Sequence, residues 1–210
     1  MDLTVKDMID NYAVLTLGTY MKINAVLERD GEELDKQVEI IAILADMTTD
    51  EVLLLPLSDY AKMAAQSAFL REPCKPTQIS EDWTYGYLVP TTDFRKINTA
   101  QYVDFQAFSK NFPASLPELL SVFLVPDGMD YNDGYDVTEV QEVVRSIPFP
   151  DALGLAAFFF GRFLELTRAS LTSWEREMKT SRSSKEREKI LDRMREVQAL
   201  LRNAGVGLPM

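Results

Sequence analysis

Leu153, Ala157, Phe160, Leu164, Thr167, Leu171, Trp174 and Met178 recur in alternating steps of four and three. A mean period of 3.5 residues gathers all eight on one stripe of an α-helix, whereas a strand would scatter them over both faces. The spacing predicts one long helix over residues 150–180, with that stripe as its inward seam. Ser183 and Glu186 then carry the pattern of a capping box, and Ile190, Met194, Val197 and Leu201 repeat the spacing as far as Gly205. The short connection between the two predicts an antiparallel helical hairpin over residues 150–210.

Upstream, the helical signals are shorter. Val5, Met8, Ile9 and Tyr12 have helical spacing behind Thr4 as N-cap, which predicts a helix within residues 3–27. Gly18 and the β-formers of residues 20–26 leave helix and strand equally open in its second half. A clearer helix follows over 33–44, with Leu34, Val38, Ile41 and Leu44 on one face. Thr48 and Glu51 form a capping box for a short helix that Pro56 ends. Ser58 caps the next, over 59–70, with Met63, Ala64 and Leu70 inward and Ser67 between them. The aromatic, β-branched run of residues 83–89 reads as a strand paired with 77–80, a small hairpin near 77–90. Asn98 or Thr99 caps a helix to Phe108, with Tyr102, Phe105 and Phe108 inward. Ser115 and Pro117 open another helix to Phe123, and Asp136 with Glu139 opens one to Arg145. The expected fold is thus mainly α: an acidic multi-helix domain over 1–149 with a small β-hairpin insertion, and a C-terminal antiparallel helical hairpin over 150–210 packing on it.

What the chain lacks narrows its chemistry. There is no histidine, so Ser-His-Asp and Cys-His arrangements and histidine-ligated metal sites are impossible. Cys74 is the only cysteine, so no intrachain disulfide and no multi-cysteine zinc site can form. No glycine-rich phosphate loop and no nucleophile elbow occurs. The loop of residues 126–136 resembles a calcium loop until Gly134 is set at the sixth position. Met129, Tyr131 and Val140 then fall where oxygen ligands belong, and a surface turn is the better reading. Asp46, Asp50 and Glu51 read as charges facing a helix N-terminus, and Asp130, Asp133 and Asp136 as turn and cap residues. No catalytic residue, cofactor or metal is expected. A histidine-free, magnesium-dependent enzyme would need three or more carboxylates converging in one cleft.

The charge is uneven. Residues 1–167 hold 12 Lys/Arg against 27 Asp/Glu, and residues 168–210 hold 10 against 6, within a net charge of −11. An acidic body repels phosphate backbones, and the cationic end alternates in sign like a solvated helix, so nucleic acid is not an expected partner. No apolar run approaches the roughly 20 residues of a membrane span. The first residues are acidic where a signal peptide would be basic. The expected location is the cytoplasm of the cell that makes the protein. Binding surfaces are therefore the functional candidates. Phe158, Phe159, Phe160 and Phe163 point in several directions from one helix, so the helix is either buried nearly all round or partly covered by a partner. Trp83, Tyr85 and Tyr87 in the aromatic strand pose the same choice. With Trp174 of the seam, the expected protein-binding residues are Trp83, Tyr85, Tyr87, Phe158, Phe159, Phe163 and Trp174.

The order of several segments resembles a family. Leu3-Thr4-Val5-Lys6 is followed by Ile40-Ile41-Ala42-Ile43-Leu44-Ala45 and Thr48-Thr49-Asp50-Glu51-Val52. Then come Ile97-Asn98-Thr99-Ala100-Gln101-Tyr102-Val103-Asp104-Phe105, Leu120-Ser121-Val122-Phe123-Leu124-Val125-Pro126, and Asp151-Ala152-Leu153 ahead of Phe158-Phe159. Over residues 3–165 this resembles small tailed-phage proteins encoded among the virion genes, particularly tail assembly chaperone-like and structural proteins of phages that infect gut Bacteroidetes. The resemblance implies a phage assembly protein that binds other phage proteins in the host cytoplasm or enters the virion. It implies no catalytic residue. A virion structural component and a host-directed acidic binding module are the alternatives, and assembly into a homo-oligomer stays open.

Overall fold

The computed structural model describes residues 8–180 with Glu188 and Leu191, and side chains of the last long helix as far as Leu166 together with Ser173. Among the described residues the protein is mainly helical, with one small two-stranded antiparallel sheet. It divides into two compact units interleaved in sequence. One comprises residues up to Ile79 with Gln141–Gly154, the other Ser80–Val140 with residues from Leu155. The sequence pattern, with the long heptad helix beginning at residue 150, predicts a single cut after residue 149 instead. Of the second helix of the expected C-terminal hairpin, only Glu188 and Leu191 are among the described residues, and both are helical.

The first unit is built on α1 (Leu17–Glu28), α2 (Glu33–Ala45), α3 (Thr49–Leu53) and α4 (Leu57–Gln66), with a 3-10 turn at Ser67–Arg71. Helix α1 starts later than the spacing of Val5 to Tyr12 predicts. Thr16 caps it, its hydroxyl accepting from Thr19 N at 3.2 Å. The residues before it are taken by tertiary pairing: Leu17 N donates to Ile147 O (2.8 Å), Phe149 N to Leu15 O (2.7 Å) and Ile9 N to Leu44 O (3.1 Å). Residues 20–26 are helical, and the Thr4 cap lies outside the described residues. Helix α2 ends on Asp46, whose left-handed φ of 51° suits a short polar side chain. Ile23, Val26, Val38, Ile41, Leu44, Val52 and Met63 form the core here. Leu34, expected inward with them, is exposed, because it sits in the first turn of α2, ahead of the buried stretch from Val38 to Leu44.

The second unit holds β1 (Leu88–Pro90), α5 (Thr99–Ser109), α6 (Leu116–Phe123), β2 (Leu124–Pro126), the start of α7 (Val137–Ser146) and α8 (Phe149–Thr180) from Leu155 onward. Helix α6 is buried at every position except Glu118 and is therefore its central element. Asn98 and Gln101 cap α5 reciprocally, and the buried Gln101 also donates to Val122 O at 3.1 Å, tying α5 to α6. The sheet corrects the expected pairing. β1 pairs not with residues 77–80 but with β2, Leu88 opposite Pro126 and Pro90 opposite Leu124. Residues 83–84 are irregular, and Tyr85 instead bridges Leu88 across a tight turn at residues 86–87, Tyr85 N donating to Leu88 O at 3.1 Å around Gly86, whose φ is +59°.

Helix α8 spans the expected range, but its inward stripe is turned by one position. Ala152, Leu155, Ala156, Phe159 and Phe163 are buried, while Ala157 of the predicted seam is exposed. Both stripes have helical spacing, since residues 152–160 are apolar almost throughout. Phe159 and Phe163 fill the core of the second unit. Phe159 lies 5.0 Å from Phe123 between ring centroids, and Phe163 lies 4.6 Å from Phe105.

Candidate protein-binding surface

Four leucines fall within five residues at the corner between α3 and α4, Leu53-Leu54-Leu55-Pro56-Leu57. The local fold dictates which of them reach solvent. Thr48 opens α3 with a full capping box: its hydroxyl accepts from Glu51 N (3.2 Å), and Glu51 Oε2 accepts from Thr48 N (2.8 Å). The Thr48 N–H, foremost, and the Thr48 hydroxyl, which donates to the same oxygen at 2.9 Å, hold the Glu51 carboxyl below its ordinary pKa. The helix lasts only five residues before Pro56, which cannot donate a backbone hydrogen bond. So short an element has one inward position per turn. Val52 takes it, Leu55 packs partly against the same core, and Met63 anchors α4. Leu53, Leu54 and Leu57 are left 68%, 81% and 82% exposed.

Helix α4 carries an apolar stripe of its own that begins at Leu57. Ala61 and Ala65 follow Leu57 in steps of four and are exposed, so the three share one helical face. Exposed Asp46, Asp50 and Glu51 and half-buried Asp59 flank it in sequence, against the single Lys62, which pairs with Asp59 at 3.0 Å. Scattered exposed leucines are ordinary on protein surfaces, but three within five residues beside an alanine stripe are not scattered. Transferring a leucine side chain fully out of water is worth roughly 1.5–3 kcal/mol. Association costs on the order of 4–15 kcal/mol in lost freedom, so three leucines alone make a weak contact. The alanine stripe and the acidic rim must contribute for a stable one.

Of the expected binding residues, all but Trp174 have described side chains, and all of these lie in the second unit. Phe159 and Phe163 are core residues there. Phe158 is half-buried under the Arg162 guanidinium, 5.3 Å from its ring centroid, and Arg162 also pairs with Glu81. Trp83 and Tyr85 are half-buried and stack nearly parallel, 6.2 Å apart and 10° between planes. Tyr87 is 41% exposed on the turn before β1, and burial, then Glu139, raises its phenol pKa. These residues supply one exposed aromatic and no continuous apolar face. The sequence does not single out the leucine corner, because Pro56 reads as a helix stop. The signal was four leucines around a helix too short to bury them.

Two open grooves lie elsewhere. One of about 590 Å³, between α1 and α2, has Lys22, Glu39 and Asp46 in its wall. The other, about 470 Å³, is lined by Arg95 and Arg162 with Glu81, Asp93 and Glu165. Arg95 is held by Asp93 at 2.8 Å and Arg162 by Glu81, so those cations are already engaged. Among the described residues no three Cys, Asp or Glu side chains gather as a metal site would require, and no helix is long and apolar enough to cross a membrane. Comparison with protein-family models, curated proteins and solved structures gives no match.

Proposed function

We propose that this chain is a non-catalytic assembly protein that acts by binding other polypeptides, and that it serves tailed-phage assembly as a tail assembly chaperone. The single observation carrying the binding reading is the leucine corner: Leu53 at the end of the capped five-residue α3, Leu54 at its C-cap and Leu57 at the start of α4, all three exposed while Val52 takes the inward position. A side-chain set with no histidine and a single thiol is poorly suited to proton or electron transfer and well suited to apolar contact. The acidic character of residues 1–167 favours keeping an aggregation-prone client in solution, since like-charged complexes repel one another. The phage assignment is supported by the order of segments over residues 3–165 described above.

Mass spectrometry of purified phage particles and of cleared lysate tests the assignment. A chaperone is absent from particles and co-purifies with one unassembled tail protein. A virion component is present in particles at fixed stoichiometry. A chain found in neither place overturns the assembly reading.

A further inference from the structure

The leucine corner also has a candidate occupant in this chain's own sequence. Residues 182–202 carry seven Lys/Arg against four Asp/Glu, and their apolar residues Ile190, Met194, Val197 and Leu201 are spaced four, three and four apart. Glu188 and Leu191 in this stretch are helical, and Leu191 is 40% exposed. Residues 46–66 have the opposite balance: Asp46, Asp50, Glu51 and Asp59 against Lys62. Their exposed apolar residues, Leu57, Ala61 and Ala65, are spaced in fours along α4, with Leu53 and Leu54 adjoining. The two stretches thus carry opposite net charges of +3 and −3, each with apolar residues at helical spacing in its sequence. The ten residues of α4 extend roughly 15 Å, close to the roughly 17 Å that the spacing from Ile190 to Leu201 covers as helix. Small alanines on one side and larger Ile, Met, Val and Leu on the other allow close helix approach.

We infer that the cationic segment of residues 182–202 from one copy docks on the Leu53, Leu54, Leu57 and Ala61 face of a second copy, giving a reciprocal dimer that shields the client-binding surface when no client is present. The exchange is reciprocal between the same two copies, which closes association at two; exchange passed on to a third copy would give larger assemblies instead. A client must displace the segment, and its apparent affinity falls by the fraction of faces already covered. This inference rests on the leucine corner being a docking surface.

Light scattering coupled to size-exclusion chromatography tests it on the full chain. A mass near twice the 23.8 kDa of one copy is expected, falling toward one copy on dilution and at raised salt. Leu54→Asp with Leu57→Asp, and separately Arg187→Glu with Lys189→Glu and Arg193→Glu, should each give a single-copy mass with an unchanged helical circular dichroism spectrum. Mixing the two variants at high concentration should restore pairing, weaker than in the wild type because only one of the two segment-face contacts can form. Three results would overturn the inference: a wild-type chain of single-copy mass at every concentration, a dimer surviving in either variant, or a mixture that stays at single-copy mass. If the wild-type chain has single-copy mass yet binds a client through Leu54 and Leu57, only this inference falls and the proposed function stands.

Discussion

The carbonyl oxygen of Thr77 lies in the space that a β-carbon on Gly154 would occupy. The same residue's N–H donates to Pro150 O at 2.9 Å, so its backbone is pinned against the first turns of α8. Glycine is normally a weak choice inside a helix, and here it is dictated by that close approach. Gly154→Ala should therefore destabilise the protein by roughly 1–3 kcal/mol through overpacking. Gly161 has open space around its Cα, and Gly161→Ala in the same helix should stabilise by roughly 0.5–1 kcal/mol. Thermal midpoints of the two variants should move in opposite directions, downward for the first and upward for the second.

The α3 capping box gives a pH-dependent term. The Glu51 carboxyl is held below its ordinary pKa by the Thr48 N–H and hydroxyl, so its folded value lies under the unfolded one of about 4.3. Its contribution is present above about pH 4.3 and is lost as pH falls through the lower folded value. Thermal midpoints of wild type and Glu51→Gln should differ at neutral pH and converge in acid. Thr48→Ala, which removes the cap hydroxyl, should cost about 1 kcal/mol.

Neighbouring phenylalanines in α8 should respond very differently to truncation. Phe159 is wholly buried against Phe123, Phe94 and Phe158. Phe159→Ala should cost roughly 3–5 kcal/mol in chemical denaturation. Phe158 is half-buried, with Arg162 over its ring, and Phe158→Ala should cost only about 1 kcal/mol. Equal losses would contradict the inward stripe assigned to this helix.

These elements also show what a sequence can and cannot disclose here. Capping boxes at Thr48/Glu51 and Asn98/Gln101 are readable because donor and acceptor are three residues apart. The Leu88–Pro90 strand could not be matched to its partner, because Leu124–Pro126 lies more than thirty residues away and local alternation suggests a nearer one. The long helix was legible but its facing was not: where nearly every residue from Ala152 to Phe160 is apolar, two adjacent stripes satisfy the same period. Aromatic richness likewise pointed to Phe159 and Phe163 as contact residues, although large rings are what a core of this size needs. The leucine corner was hidden for the converse reason. Leucine is assumed to be buried, and only the break at Pro56 between the short α3 and α4 leaves Leu53, Leu54 and Leu57 outward.

The central claim, that Leu53, Leu54 and Leu57 form the surface by which this chain grips another polypeptide, is tested most directly by quantitative co-purification. The tagged wild-type chain and its Leu54→Asp, Leu57→Asp variant would be recovered from phage-infected cells, with bound proteins quantified by mass spectrometry. Both residues are over 80% exposed, so the variant should keep its stability within about 0.5 kcal/mol. One phage-encoded protein should accompany the wild type at fixed ratio and be reduced at least tenfold on the variant. Equal recovery of that protein with both chains would contradict the account.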